Sequence, residues 1–369
     1  MSGVPAPLPA AVRRARGLVA RATVLRTEDR PVFVGACPRS GTTLLRSMLH
    51  AHPSLALPRE THFVLEAYRR RGRFGDLRIP ARRAELVEWI VRRPESQFGR
   101  LEVDPDHATA RLYAAPPTLG SVLGTAFQLF AERHGKPRWG DKRPLYVEEL
   151  PAVFDLFPDA QFVSIVRDPR AVIASMKKLG WLDDWYDGTV AGAVVRWMRS
   201  VTRGRRGLER LRPDQIREVR YETLVGDPES VLGDLCSFLK LSTEHLDRMV
   251  AFHRSETDIP DTQRERYHPR LDQPVTATAI DSWTEVLEPE ESAFIERKAA
   301  RLMELYGYEP RARGVTVPPH LESRFRQFRE QRRPRGDRPA AMSDSYPVAA
   351  RLTTGQRRRY AVARAVRRG

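Results

Sequence analysis

The chain is poor in the residues on which several common architectures depend. With two cysteines, Cys37 and Cys236, in 369 residues, it carries no disulfide framework, and a reducing compartment is the natural expectation. No run approaches the ~18 apolar residues that a membrane-spanning helix requires, so no transmembrane segment is expected. Near the amino terminus Arg13, Arg14 and Arg16 precede Gly17-Leu18-Val19-Ala20, but Arg21 cuts this apolar run short, and no signal peptide is read there. These absences point to a cytoplasmic protein. Lysine is scarce, six against 57 arginines, so a lysine beside a motif is unforced by composition. The ATP-type phosphate loop G-x-x-x-x-G-K-[ST] is also missing.

What the chain has in excess is positive charge, a formal +16, and its distribution matters more than its size. Residues 1–30 carry a net +4 and residues 311–369 a net +12, so the stretch between them is neutral. A charge-driven binder of nucleic acid or membrane surfaces would be basic in its body as well. The expected organisation is a basic arm over 1–30, a folded domain over 31–310, and an Arg-rich tail over 311–369. The tail is read as mostly disordered, with a helical piece at 320–333, and as a segment able to touch an anionic surface.

The folded part opens on Phe33-Val34-Gly35-Ala36-Cys37-Pro38-Arg39-Ser40-Gly41-Thr42-Thr43-Leu44-Leu45, an apolar strand, a glycine-bearing turn and a helix. Such a unit aims backbone N–H groups and a helix dipole at one spot and suits a phosphate. It departs from the ATP-type loop because Thr42 follows Gly41 where a lysine would stand and the cation, Arg39, lies inside the loop. Strands over 32–35, 54–57, 161–166 and 215–220 alternate with helices near 42–51, 61–71, 82–92, 118–134, 169–178, 189–211, 228–240, 243–253 and 288–306. That alternation predicts an α/β protein: a P-loop-type three-layer fold with a central, mostly parallel sheet flanked by helices. The 161–178 unit repeats the opening device, with Asp168 as helix cap and Pro169 at the first helical position. Arg167, at the carboxyl end of its strand, either pairs with Asp168 or a neighbour at the surface, or faces a ligand in the crevice where such sheets bind.

Pro38-Arg39-Ser40-Gly41-Thr42-Thr43, Arg59-Glu60-Thr61, Asp141-Lys142 and Val166-Arg167-Asp168-Pro169-Arg170 with Ser175, in this order and spacing, resemble the P-loop sulfotransferases. The similarity is greatest to the branch of the tyrosylprotein sulfotransferases and their bacterial relatives. The resemblance implies 3′-phosphoadenosine 5′-phosphosulfate as co-substrate. Arg39, Ser40, Gly41, Thr42 and Thr43 would grip its 5′ end, Arg167 and Ser175 its 3′-phosphate, and Tyr221 would lie near the nucleotide. It also explains the missing lysine, since that donor brings no γ-phosphate and no magnesium to be held.

Transfer of the sulfuryl group needs an in-line approach, cations for the leaving phosphate and a base for the acceptor hydroxyl. Arg39 and Lys142, the latter read within a Gly-Asp-Lys turn, are the candidate cations. Glu60 is the candidate base, with His50, His52 and His62 as rivals. His62 stands where the tyrosylprotein enzymes have an arginine, so an acidic peptide acceptor does not carry over. The acceptor is left as a hydroxyl on a peptide tyrosine, a glycan or a small metabolite. An ATP-dependent kinase or nucleotide-binding protein is the alternative, disfavoured by the absent G-K-[ST]. Cys37 and Cys236 are read as packing residues. Trp181, Trp185, Tyr186 and Trp197 either line an acceptor cleft or pack helices on the sheet, and Trp283 echoes a late family segment that approaches the donor.

Overall fold

The computed structural model describes residues 30–254, 271–277 and 280–331. Five strands, β1 (Val32–Ala36), β2 (Leu55–Ala56), β3 (Arg138–Lys142), β4 (Gln161–Val166) and β5 (Ile216–Arg220), form one sheet in the order β2-β3-β1-β4-β5. Every pairing is parallel. Nine helices of ten or more residues occur among the described residues: α1 (Thr42–Ala51), α2 (Pro80–Arg92), α3 (Pro105–Ala114), α4 (Leu119–Arg133), α5 (Pro169–Lys178), α6 (Val190–Arg210), α7 (Pro228–Leu239), α8 (Pro289–Leu305) and α9 (Pro319–Gln331). None is long and apolar enough to cross a membrane.

The sheet is covered on both faces, so its central strands are continuous apolar runs rather than alternating ones. Side chains of β1 part to opposite sides in register with the pleat. Phe33 joins Phe127, Trp139, Tyr146 and Phe157 in one layer, while Val32, Val34 and Ala36 join Leu45, Met48 and Leu49 of α1 in the other. Val32 pairs with Gln161 and Ala36 with Ile165, which brings the carboxyl ends of β1 and β4 level. The chain runs from β1 out to β2 and β3 on one side and to β4 and β5 on the other. The crevice where ligands bind in such sheets therefore opens at the end of β1.

The strands expected at 32–35, 54–57, 161–166 and 215–220 are present, with small shifts of their ends. β3 was not expected. Lys142 lies on it, in place of the anticipated turn, and its side chain is only 7% exposed. The strand was hidden because Arg138, Gly140, Asp141 and Lys142 do not read as an apolar run. Arg138 donates to Gln161 Oε1 (2.6 Å) and to the carbonyls of Arg30 and Leu239. At Gly140 a Cβ would stand 2.3 Å from the Val32 carbonyl oxygen, so the approach of β3 to β1 requires glycine.

Packing also continues past 310. The helix expected at 320–333 is α9, which lies on α6 and buries Leu321, Phe325 and Phe328 in the cluster that holds Trp197 and Phe294. Each phenylalanine so buried contributes ~1.5–3 kcal/mol, so this stretch belongs to the folded body. The arm over 1–29 and the Arg-rich stretch from 332 onward, where disorder was expected, lie outside the described residues.

Candidate active site

The turn after β1 is held in left-handed backbone at Arg39 (φ 71°) and Gly41 (φ 96°). A Cβ on Gly41 would lie 2.5 Å from the Tyr221 ring, so glycine is required there both by φ and by space. Gly41 caps α1 without a side-chain hydrogen bond, and no acidic residue sits in the first turn. The first turn and the positive end of α1 thus face the cavity without a carboxylate to repel an anion. Ser40 Oγ is buried and has no hydrogen-bond partner among the described residues. A buried hydroxyl of this kind is costly to leave unmatched, and a phosphate oxygen would match it.

The unit after β4 works differently from the first. The N-terminus of α5 is already occupied by Asp168, whose carboxylate accepts from Arg170 N at 2.8 Å and pairs with the Arg170 guanidinium at 2.6 Å. Asp168 therefore takes Arg170 as its partner, and Arg167 points elsewhere. The Arg167 guanidinium lies over the Tyr221 ring, 4.1 Å from its centre, and donates to the Arg39 carbonyl at 3.2 Å. What this unit offers an anion is side chain: Arg167 and the Ser175 hydroxyl, which accepts from Arg39 Nε at 3.0 Å. Arg39 thus spans the two loops.

Glu60 and Lys142 meet at the end of β3. Lys142 Nζ is 3.4 Å from Glu60 Oε2, and Arg143 Nε and His62 Nε2 are each 3.8 Å from Glu60 Oε1. Pro38, Arg39, Gly41, Thr42, Thr43, Glu60, His62, Lys142, Arg167 and Tyr221 all line one cavity of about 660 Å³. Ser40 and Ser175 flank it through Arg39 and the loop. Most of the residues expected in the site therefore line one space, and Ser40, Ser175, His50 and His52 are not part of its wall.

The histidines separate. His50 Nδ1 accepts from Leu57 N (3.1 Å), and burial with Arg46 nearby drives its pKa far down. His52 closes α1, its Nδ1 accepting from Ser54 N and its Nε2 facing the Ser242 carbonyl. Both hold backbone. His62 alone lines the cavity, and burial with Arg143 beside it lowers its pKa. Among the aromatics, Tyr186 and Trp197 are core, whereas Trp181 and Trp185 line the cavity with rings 4.6 Å apart. Trp283 is buried beneath the Arg170 guanidinium at 4.3 Å and is absent from the cavity wall. Burial pushes the Cys37 thiol up to about 12 and the Cys236 thiol up to about 11, and neither is a nucleophile at neutral pH.

Two residues went unread in the sequence. Arg100 reaches the cavity from the short 98–101 helix, donates to the Glu60 carbonyl and makes no ion pair among the described residues. No local motif marks it. Asp141 was noticed only as Lys142's neighbour, yet it is fully buried, with Thr61 Oγ1 donating to it at 3.1 Å and Tyr146 OH donating to the same oxygen.

Groups able to meet an anion at adjacent strand ends, with a carboxylate–lysine pair in the same cavity, fit an α/β transferase of the nucleotide-binding kind. Residues 31–245 match the Sulfotransferase family, and the chain belongs to that family. It is similar to the protein-tyrosine sulfotransferase 1 of Danio rerio (28% identity, 77% of this chain and 74% of the relative) and of Homo sapiens (27%, 82% and 76%). The Drosophila melanogaster protein-tyrosine sulfotransferase is 25% identical over 76% of this chain, which spans about half, 52%, of that relative's length. The sulfotransferase domain of the curacin biosynthetic pathway shares the fold, with TM-score 0.56, 22% identity, and coverage of 77% of this chain and 99% of that domain.

Proposed function

We propose that this protein transfers the sulfuryl group of 3′-phosphoadenosine 5′-phosphosulfate to an acceptor hydroxyl, with Glu60 as general base. The observation that carries the reading is the Glu60–Lys142 pair, 3.4 Å apart, in the same cavity as the Arg39 loop. The acceptor oxygen bonds to sulfur as the bond from sulfur to the bridging phosphate oxygen breaks, and the hydroxyl proton passes to Glu60. Arg39, Lys142 and the N–H groups of α1 offset the charge that develops on the departing phosphate. The 3′-phosphate is held by Arg167 with the Ser175 hydroxyl, and Tyr221 supports Arg167 from beneath.

The relatives' names point to a peptide tyrosine as acceptor, and Arg100 supports that choice. Although His62 replaces the arginine of the tyrosylprotein enzymes, Arg100 returns a cation to the same end of the cavity from a different segment. Carboxylates flanking a tyrosine would meet it, and glycan or small-metabolite hydroxyls rank behind. The Arg-rich stretch beyond 331 is proposed to touch an anionic surface, with donor binding independent of it.

The test uses labelled phosphosulfate donor with a tyrosine peptide flanked by glutamates. Glu60→Gln is expected to keep its affinity for 3′-phosphoadenosine 5′-phosphate within about threefold and to lose turnover by about 10²-fold or more, the scale of general-base catalysis. Turnover retained in Glu60→Gln would move the base to His62.

A further inference from the structure

We propose that Asp141 is a positioning residue that holds Glu60 against Lys142, acting through Thr61. The inference rests on the reading of Glu60 as base and goes beyond it by naming what fixes that base in place.

Asp141 occupies an unusual position. It is 0% exposed and lies on the face of β3 that carries Trp139, in the layer of Phe33, Phe127 and Tyr146. A carboxyl group in an apolar layer stands only where hydrogen bonds or charge repay its desolvation. Here two side-chain donors converge on one oxygen, Thr61 Oγ1 at 3.1 Å and the Tyr146 hydroxyl, and the Lys142 backbone N–H also favours the charged carboxylate. The other oxygen, Oδ1, has no hydrogen-bond partner among the described residues. A carboxyl group kept only for stability is poorly served by such an arrangement, because an apolar group of similar shape would fill the layer without an unmatched oxygen.

The chain order supplies the reason. Thr61 directly follows Glu60, and Asp141 directly precedes Lys142, so the one bond between Thr61 and Asp141 ties together the two segments that must meet. Thr61 is itself fully buried, which fixes the backbone from which the half-exposed Glu60 side chain departs. On the outer side a weaker tie runs in parallel, from Arg143 Nη1 to the His62 carbonyl at 3.3 Å. The inner clamp is buried and shielded from water, and burial raises the Asp141 pKa to about 7. The donor loops follow β1 and β4, so loosening this clamp reaches turnover before it reaches nucleotide affinity.

The experiment compares Thr61→Val, Thr61→Ser, Asp141→Ala and Glu60→Gln in the full chain. It measures kcat and KM with the phosphosulfate donor and the glutamate-flanked tyrosine peptide, and 3′-phosphoadenosine 5′-phosphate affinity by calorimetry. Thr61→Val, nearly isosteric, is expected to lower kcat by about 10- to 100-fold, the scale of a misplacement near 1 Å, with donor KM and nucleotide affinity within about twofold. Asp141→Ala should match it, and Thr61→Ser, which restores the hydroxyl, should recover most of the rate. Unchanged kcat in Thr61→Val while Glu60→Gln is inactive overturns this inference alone, as does a parallel fall in nucleotide affinity. Full turnover by Glu60→Gln removes the base reading and this inference together. If the wild-type chain does not turn over the peptide, crystal structures with bound 3′-phosphoadenosine 5′-phosphate decide. A Glu60–Lys142 separation widened by about 1 Å or more in Thr61→Val supports the clamp, and an unchanged separation overturns it.

Discussion

At the ends of β1 and β4, the groups facing the cavity come from the compact stretch 38–44 and from Arg167, each in the turn or first helical turn after a strand, with Ser175 tied to Arg39 behind them. Around Glu60 they come from Glu60 and His62, from Arg100, and from Lys142 and Pro144, stretches scattered over about eighty residues, while Trp181 lines the wall beside Arg39. The first arrangement is set by strand register and helix starts, and its parts arrive together. The second exists only once helices from distant parts of the chain have packed around β3. On the proposed reading of the site, nucleotide grip and turnover are expected to be separable, because different kinds of structure would hold them.

Substitutions that respect this division should act on one quantity and spare the other. The largest effect belongs to Lys142→Ala, which removes a nearly buried cation from the acceptor end. Its turnover should fall by about 10²- to 10³-fold, as for loss of a group that stabilises developing charge, with a distinctly smaller loss of affinity for 3′-phosphoadenosine 5′-phosphate, which carries the phosphate that Lys142 would face. Single-turnover kinetics with parallel calorimetry reads both, and a matching loss of affinity would merge the two ends. A smaller effect is expected of Trp185→Ala. This ring is 55% exposed, so its removal should shift stability by no more than about 0.5 kcal/mol, while the acceptor KM rises several-fold at constant donor KM.

The smallest effect concerns pH. Burial raises Asp141 from 3.8 to about 7, so between those values the folded protein keeps a proton that the unfolded chain has released. Stability contributed by this group is present below that window and is lost as pH rises through it. In Asp141→Asn the decline of Tm between about pH 4 and 7 should become shallower, as differential scanning calorimetry would show. An identical slope in both proteins would mean that Asp141 is charged throughout.

The same division governs what could be read in advance. The Cys37–Thr43 turn and the Arg167–Ser175 unit were legible because each is contiguous and obeys local rules of caps, glycine and apolar strands. Tyr221 was legible as a residue opening a helix, though not as the ring that fills the space beside Gly41. β3 escaped because Arg138, Gly140, Asp141 and Lys142 do not form an apolar run, although each is buried by a partner distant in sequence. Arg100 escaped for the same reason, since only the packing of 63–101 returns it to Glu60. The two roles held open for the tryptophans were divided by burial: Trp197 went to the core and Trp181 with Trp185 to the cavity. In α9, the spacing of Leu321, Phe325 and Phe328 was visible as a helix, but its docking on α6 was masked by the surrounding arginines.

The most direct test of the central claim, a donor held by one helix-start cradle and one side-chain anion site, is a calorimetric titration of the wild-type chain and Arg167→Ala. The titrants are 3′-phosphoadenosine 5′-phosphate, 5′-adenylate and ATP. The expected result is tightest binding of 3′-phosphoadenosine 5′-phosphate, weakened about 10- to 100-fold by Arg167→Ala, as for loss of charge-assisted hydrogen bonds, with 5′-adenylate nearly unaffected. Tighter binding of ATP, or a 3′-phosphate that adds nothing in the wild-type chain, would contradict it.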